Sequence, residues 1–175
     1  MSSRIDVDEI RSKTTNGNLV TSPNGTGIFV PKRVPSFYAY NNAVQTLTDS
    51  TWTRVTLQAT LFDTCGNFDT STNRFTAPVN GIYSFTTALN FTTNSDSGGY
   101  LYADVRKNGT TQYYTFGIRL TAQVILNDTQ INGSILLPLD ANDYIEMGAY
   151  QAVASGSPGL TNGRCYLTGH LVSGT

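Results

Sequence analysis

The stretch "NRFTAPVNGIYSF" occupies residues 73–85. It begins with turn chemistry at Asn73, becomes apolar at Phe75, breaks at Pro78 and Gly81, and then alternates Ile82, Tyr83, Ser84, Phe85. Proline cannot donate to a strand ladder and glycine weakens a strand interior, so neither belongs inside a central strand. The stretch reads as two short aromatic strands joined at a corner. There the chain leaves one sheet and enters another, and Phe75, Tyr83 and Phe85 fill the interior, or a subunit face, on each side of the bend.

Period-two alternation extends outward from this corner in both directions. In "TWTRVTLQAT" (51–60), Trp52, Arg54, Thr56 and Gln58 fall on one side and Thr53, Val55, Leu57 and Ala59 on the other. "GIYSFTTALNF" (81–91) places Tyr83, Phe85, Thr87, Leu89 and Phe91 together. "YLYADVRKNG" (100–109) separates Leu101, Ala103 and Val105 from Tyr100, Tyr102, Asp104 and Arg106. Asn108-Gly109 then turns the chain into "TQYYTFGI", a hairpin signature. "GSILLPLD", "DYIEMGAY" and "RCYLTGHLV" complete the set, with Pro138 marking a strand end or edge. Helical periodicity never persists. Strands punctuated by turns, without helices between them, imply an antiparallel sandwich or jelly roll.

Residues 1–35 differ from residues 36–175. Their apolar residues come in short groups, Leu19-Val20 and Ile28-Phe29-Val30, between Asn16-Gly17, Pro23-Asn24-Gly25 and Gly27, with Pro31 and Pro35 closing the segment. Such a segment forms short strands but buries no core of its own. It reads as an arm that docks on a partner subunit or a larger particle, through Leu19, Val20, Ile28, Phe29 and Val30.

Composition narrows the function. Of the 175 residues, 39% are hydrophobic, 11% aromatic and 13% charged, the last about half the usual share. Eleven basic residues against twelve acidic ones leave a net charge of -1. That balance excludes the basic footprint of a nucleic-acid binder. No apolar run is long enough to span a bilayer as a helix. The first ten residues, "MSSRIDVDEI", carry Asp6, Asp8 and Glu9 where a signal peptide needs an apolar core, which points to release by another route, such as assembly into a virus particle. Cys65 and Cys165 read as free, largely buried thiols, and with His170 as the single histidine a zinc site has no ligand set. The Asn-x-Thr triplets at Asn24, Asn90, Asn108 and Asn127 follow from a Thr- and Asn-rich composition.

Catalysis finds little support. His170 lies in the last strand with no visible partner, and reads as a residue of the sheet or subunit surface. Asp140, Asp143 and Glu146 are the densest carboxylates, but Asp140 and Asp143 fall in a turn, where aspartate serves the backbone. No metal ligand is assigned. Calcium is the one cofactor left open, because loop aspartates occur at 69, 96, 128, 140 and 143, without a closing ligand pattern. Tyr100, Tyr102, Tyr113 and Tyr114 lie on two adjacent strands. They offer a ligand platform, for a glycan above all, or they pack under a loop or across a subunit seam. A second sheet face rich in tyrosine suits a subunit interface.

The corner also carries a resemblance. Asp63, Phe68, Phe75, Gly81, Tyr83 and Phe85 stand at intervals similar to those of the globular-head domain of complement subcomponent one-q, shared by adiponectin and the short-chain collagens. Leu57 and Thr87 depart from its aromatic positions. "DVRKNG" (104–109), "INGSILLPLDANDYIEM" (131–147) and "YLTGHLV" (166–172), with Gly169 in the family's glycine place, resemble its later strands. Across 36–175 the resemblance implies a ten-stranded, tumour-necrosis-factor-like antiparallel jelly roll that trimerises around an apolar and aromatic axis, with Tyr83, Phe85, Leu89 and Phe91 in the core or the trimer interface. It also implies ligand binding on exposed loops and flanks, not enzymatic activity.

The arm is similar to segments of tailed-phage structural proteins, over "NGNLVTSPNGTGIFVPKR" (16–33). Together these features imply a virion structural protein: a homotrimeric fibre or capsid-decoration subunit on the particle surface. Its arm would contact other capsid or tail proteins, and its head would bind a host-surface glycan or protein, or stabilise the shell. The alternative is a cellular, extracellular ligand-binding head of the same fold. A glycan-cleaving enzyme would need two carboxylates in an aromatic cleft.

Overall fold

The computed structural model describes residues 20–21, 30–31, 34–92, 99–120, 128–153 and 159–174. The chain divides after Val34. In the first unit, β1 (Val20–Thr21) pairs antiparallel with β2 (Val30–Pro31). Leu19, Ile28 and Phe29 of the expected docking arm, and Asp96 of the loop aspartates, lie outside the described residues.

The second unit, Pro35–Thr175, is all strand and turn among the described residues. Its strands are β3 (Ser36–Tyr40), β4 (Gln45–Thr46), β5 (Thr53–Arg54), β6 (Ala59–Asp63), β7 (Phe68–Asp69), β8 (Arg74–Thr76), β9 (Gly81–Thr92), β10 (Gly99–Lys107), β11 (Thr111–Leu120), β12 (Thr129–Leu139), β13 (Tyr144–Val153), β14 (Gly159–Leu160) and β15 (Tyr166–Gly174). They form two antiparallel sheets. One runs β11-β10-β13-β8-β7, with β5 also on β13. In the other, β12 pairs with β9 on one side; β15 and then β14 line β9's other side, followed by β3 with β6, and by β4. This is the jelly-roll sandwich. Three two-residue pairings, β4, β5 and β14, raise the strand number above ten.

The 73–85 corner joins the sheets. Arg74–Thr76 belong to the six-stranded sheet and Gly81–Thr92 to the seven-stranded one. Ala77 N–H donates to Asp143 O and Asn142 N–H to Ala77 O, each at 2.8 Å, so the end of β8 is sewn to the turn before β13. Tyr83 is buried, and its hydroxyl donates to Val79 O at 2.8 Å, pinning the start of β9 to the bend. Gly81 serves close approach, not unusual dihedrals: a Cβ there would lie 2.5 Å from Ser173 O and 2.6 Å from Leu171 Cδ1 of β15.

Between the sheets lies an aromatic stack. The Phe37 ring of β3 lies 4.8 Å from Phe75 of β8 and 5.1 Å from Phe68 of β7, both nearly parallel to it, while Phe85 of β9 meets Phe75 edge-on at 5.8 Å. Gly169 of β15 leaves space for two of these rings, since a Cβ would come within 2.6 Å of Phe85 and 2.8 Å of Phe37. Tyr83, Phe85, Leu89 and Phe91 are all fully buried in this core within one subunit. Trp52 and Arg54 keep to the outward side and Val55 and Leu57 to the core, but Thr53 and Ala59 are only partly buried, because the 51–60 segment pairs through just two residues at β5 before β6 begins.

Phe75, from the six-stranded sheet, packs its ring against Phe37, Tyr83 and Phe85 of the other sheet, so its removal is expected to cost about 3–5 kcal/mol. Urea unfolding of Phe75→Ala measures this. A loss below about 1 kcal/mol, the size of a tolerated core swap, would contradict the bridging role.

Candidate functional site: an aromatic cleft on the six-stranded sheet

The outward faces of β10, β11 and β13 carry the site. On β10, Tyr100, Tyr102, Asp104 and Arg106 alternate with the core residues Leu101, Ala103 and Val105. Register sets Tyr102 opposite Tyr150 of β13, and Asp104 opposite Tyr114 of β11. Trp52, which immediately precedes β5, packs against three of these residues: Tyr150 at 5.0 Å, Tyr114 at 5.6 Å and Tyr102 at 6.2 Å between centroids. Together Trp52, Tyr100, Tyr102, Tyr114 and Tyr150 line a cleft of about 460 Å³. That size falls within the range of small-ligand sites, roughly 300–1,000 Å³.

The rings make a floor and a wall. Tyr100 and Tyr102 lie within 7° of parallel at 6.1 Å. Tyr114 stands at 67° to Tyr102, and Trp52 at 60° to Tyr114. Tyr114 is 59% exposed and Tyr100 40%, so both present ring surface to solvent.

Two glycines make the bed. A Cβ on Gly117 of β11 would lie 2.4 Å from Cδ1 of Tyr102, and one on Gly148 of β13 would lie 2.0 Å from Oδ1 of Asp104. The strands flanking β10 thus lack side chains where its polar and aromatic groups must lie flat.

Asp104 is fully buried beneath the cleft rim. Its Oδ2 accepts from Arg106 Nε at 3.1 Å and from Gln112 Nε2 at 2.5 Å. Burial pushes its carboxyl upward, and Arg106 pulls the other way. So held, Arg106 lies 5.2 Å from the centre of the Trp52 ring. At the far end Arg119, opposite Tyr100, lies 5.7 Å from that ring's centre.

Of the four tyrosines read from the sequence as a platform, the structure brings together Tyr100, Tyr102 and Tyr114. Tyr113 does not join them; it packs against the core. The reason is elementary, since successive strand residues point to opposite faces. Trp52 and Tyr150 complete the cleft and were not in that set. Alternation signalled that Trp52 faces outward, but nothing local told which strand it would meet.

The remaining candidates have structural surroundings. Glu146 pairs with Arg74 at 3.1 Å and Arg54 at 3.4 Å. Asp143 pairs with Lys107 at 2.6 Å and accepts from Asn108 Nδ2 at 2.7 Å and Asp140 N–H at 2.8 Å, locking the β10–β11 turn to the one before β13. His170 is exposed on β15, in register with Ser36 and Ser84. Both cysteines are free; Cys165 is buried, its thiol pushed up to about 11 by burial, and Cys65 is half-buried. Among the described residues no three His, Cys, Asp or Glu side chains are grouped to hold a metal ion.

The other sheet presents a different outer face. Across its seven strands the only Asp, Glu, Lys or Arg is Asp63. Asp63 caps its own loop, accepting from the N–H groups of Cys65, Gly66 and Phe68. The face runs in rows of small polar and aromatic residues. Tyr38, Thr168, Thr86 and Ser134 form one row; Tyr40, Tyr166, Ala88 and Asn132 form the next. Tyr38 stacks on Tyr166 at 4.9 Å and also meets Tyr40 and Phe62.

Comparison with known proteins fits this geometry. The C1q domain family matches residues 36–172, and the chain belongs to that family. Among solved structures the chain is similar to the globular domain of a zebrafish complement 1qA protein, at 16% identity and TM-score 0.57, covering 82% of this chain and all of that one. It is similar to Eiger, a tumour necrosis factor from S. frugiperda, at 8% identity and TM-score 0.57, covering 81% and 94%. It is also similar to murine APRIL, at 13% identity and TM-score 0.55, covering 80% and 100%. None of the curated proteins matches the sequence. Domains of this family are ligand-binding or structural, are typically extracellular, and assemble as trimers. Among the described residues no helix is long and apolar enough to cross a membrane.

The Asp143 cluster has a pH signature. Lys107, with Asn108, lowers its carboxyl from 3.8 to about 2. A carboxyl lowered in the folded state adds stability above its unfolded value and loses it as pH falls through the folded one. Asp143→Asn should therefore melt below the wild type at neutral pH, with the gap closing between about 3.8 and about 2. A gap that persists unchanged to the acid end would contradict the ion-pair assignment.

Proposed function

We propose that this chain is the head-bearing subunit of a homotrimer, carried on a virion as a fibre or capsid-decoration protein. The cleft of Trp52, Tyr100, Tyr102, Tyr114 and Tyr150 is its ligand surface, and the residue 1–35 arm is its attachment to capsid or tail proteins. The observation that carries this reading is the contrast between the two outer faces. One has Asp63 as its single Asp, Glu, Lys or Arg, while the other holds Arg54, Arg74, Asp104, Arg106 and Glu146 beside an open aromatic cleft. Depletion of charge with enrichment in tyrosine marks interface cores. Pockets lined by rings with a few polar groups mark ligand sites.

Family membership supports the trimer, and the family's extracellular character supports the exposed head. Three heads on one particle would raise effective concentration, so weak single contacts give strong adhesion. The virion placement rests on the arm, whose residues 16–33 are similar to segments of tailed-phage structural proteins. A cellular, extracellular head of the same fold is the second reading, favoured by the animal origin of the similar solved structures.

Sedimentation equilibrium tests the assembly. The particle should weigh three times the 19.0 kDa chain. Ser134→Arg, which puts a charge into the uncharged face, should release folded monomer, whereas Tyr100→Arg should leave the trimer intact. A wild-type monomer at micromolar concentration, or a trimer indifferent to Ser134→Arg, overturns the assignment. For the virion role, deletion of residues 1–35 should leave a folded head that no longer enters particles. Continued incorporation would refute the docking arm.

A further inference from the structure

Resting on the reading of the aromatic cleft as the ligand surface, we infer that its ligand is an acidic glycan, bound by stacked pyranose rings and by carboxylates on Arg106 and Arg119. The charge around the cleft decides this. Among the described residues, the carboxylates nearest the cleft are already engaged. Asp104 is fully buried, with its Oδ2 held by Arg106 and Gln112. Asp49 accepts from Val153 N–H at 2.9 Å and from the Ser50 hydroxyl at 2.8 Å. Glu146 is paired with Arg54 and Arg74. Arg119 has no carboxylate partner among the described residues; its cation lies over the Tyr100 ring. Arg106 covers Trp52. A cationic ligand would be repelled by the two guanidinium groups beside the Trp52 and Tyr100 rings. An anionic one meets the Arg119 fork, which no carboxylate of the described residues opposes, and the Nη end of Arg106, whose Nε is held by Asp104, donors of the kind that match carboxylates.

The rings select the rest of the ligand. Tyr100 and Tyr102 lie within 7° of parallel at 6.1 Å, and Tyr100 and Tyr114 present ring surface to solvent. The hydroxyls of the three tyrosines add donors and acceptors around an apolar surface. A pyranose has the matching character: a flat C–H face, with hydroxyls around its edge. The two arginines stand at strand positions opposite Tyr100 and at Arg106 itself. Six residues of β-strand separate those positions, about 20 Å at the usual rise. A chain of several sugars is needed to reach both, which suits a polymeric, acidic surface polysaccharide. Nucleobases also stack on such rings. A net charge of -1 and the lack of a basic track along the cleft argue against a phosphate backbone.

Trp52 is the only tryptophan in the chain, so its emission reports on this cleft alone. The full-length protein is titrated with a defined oligogalacturonate, with the same oligosaccharide after carboxyl reduction to the neutral galactose form, and with a single-stranded oligonucleotide. The expected result is a saturable change in emission with the acidic sugar and binding about a hundredfold weaker for its reduced form, which loses a charge-assisted contact to each of the two arginines at about tenfold apiece. Arg119→Gln, which removes one of the two contacts, should lose about tenfold toward the acidic sugar and nothing toward the reduced one. Arg119 is exposed, so its replacement leaves the fold intact. Equal affinity for the acidic and neutral sugars overturns this inference while leaving the cleft as a ligand surface. Binding of the oligonucleotide alone also overturns it. No response to any of the three contradicts both the inference and the ligand-surface reading on which it stands.

Discussion

The structure depends on one constraint: Phe37, Phe75 and Phe85 must meet in the space between two sheets. Phe37 and Phe85 come from the seven-stranded sheet and Phe75 from the six-stranded one, so no single sheet can bury all three. The 77–80 bend brings the last two together within ten residues of sequence. Gly169 yields the space their rings need, and Gly81 lets β15 close over the bend. With the inner faces committed to this stack, the sheets have their two outer faces left for function.

Those faces are chemically unlike. One sheet turns outward serines, threonines and tyrosines, with a single carboxylate that caps its own loop. Such a face can be dehydrated cheaply, because it has hardly any charge to strip of water. The other turns outward a paired network of arginines and carboxylates beside five aromatic rings. The buried Asp104 has one architectural consequence: it fixes Arg106, and Arg106 in turn covers Trp52. A guanidinium held this way loses less freedom when it meets a ligand, the usual benefit of preorganisation.

Much of this was legible from residue order. Pro78 and Gly81 announced the change of sheet, Asn108-Gly109 announced the hairpin, and alternation separated Tyr100 and Tyr102 from Leu101 and Ala103. Alternation would also have separated Tyr113 from Tyr114, which cannot share a face as neighbours in one strand. What residue order withheld was lateral order. Trp52, Tyr102 and Tyr150 are distant in sequence, and only the register of β10 with β13, and of β13 with β5, makes them neighbours. The burial of Asp104 was hidden for a similar reason. Its position reads as outward, and it is covered only because Gln112 and Arg106 close over it and Gly148 gives it room.

One measurement addresses the division between the two faces directly: hydroxyl-radical footprinting of the assembled protein, read residue by residue by mass spectrometry. Tyr38, Tyr40 and Tyr166 should be protected in the assembly, while Tyr100 and Tyr114 react freely until ligand is added. If Tyr38 and Tyr166 are modified as fast as Tyr114, the uncharged face is open to solvent and the proposed assembly is wrong.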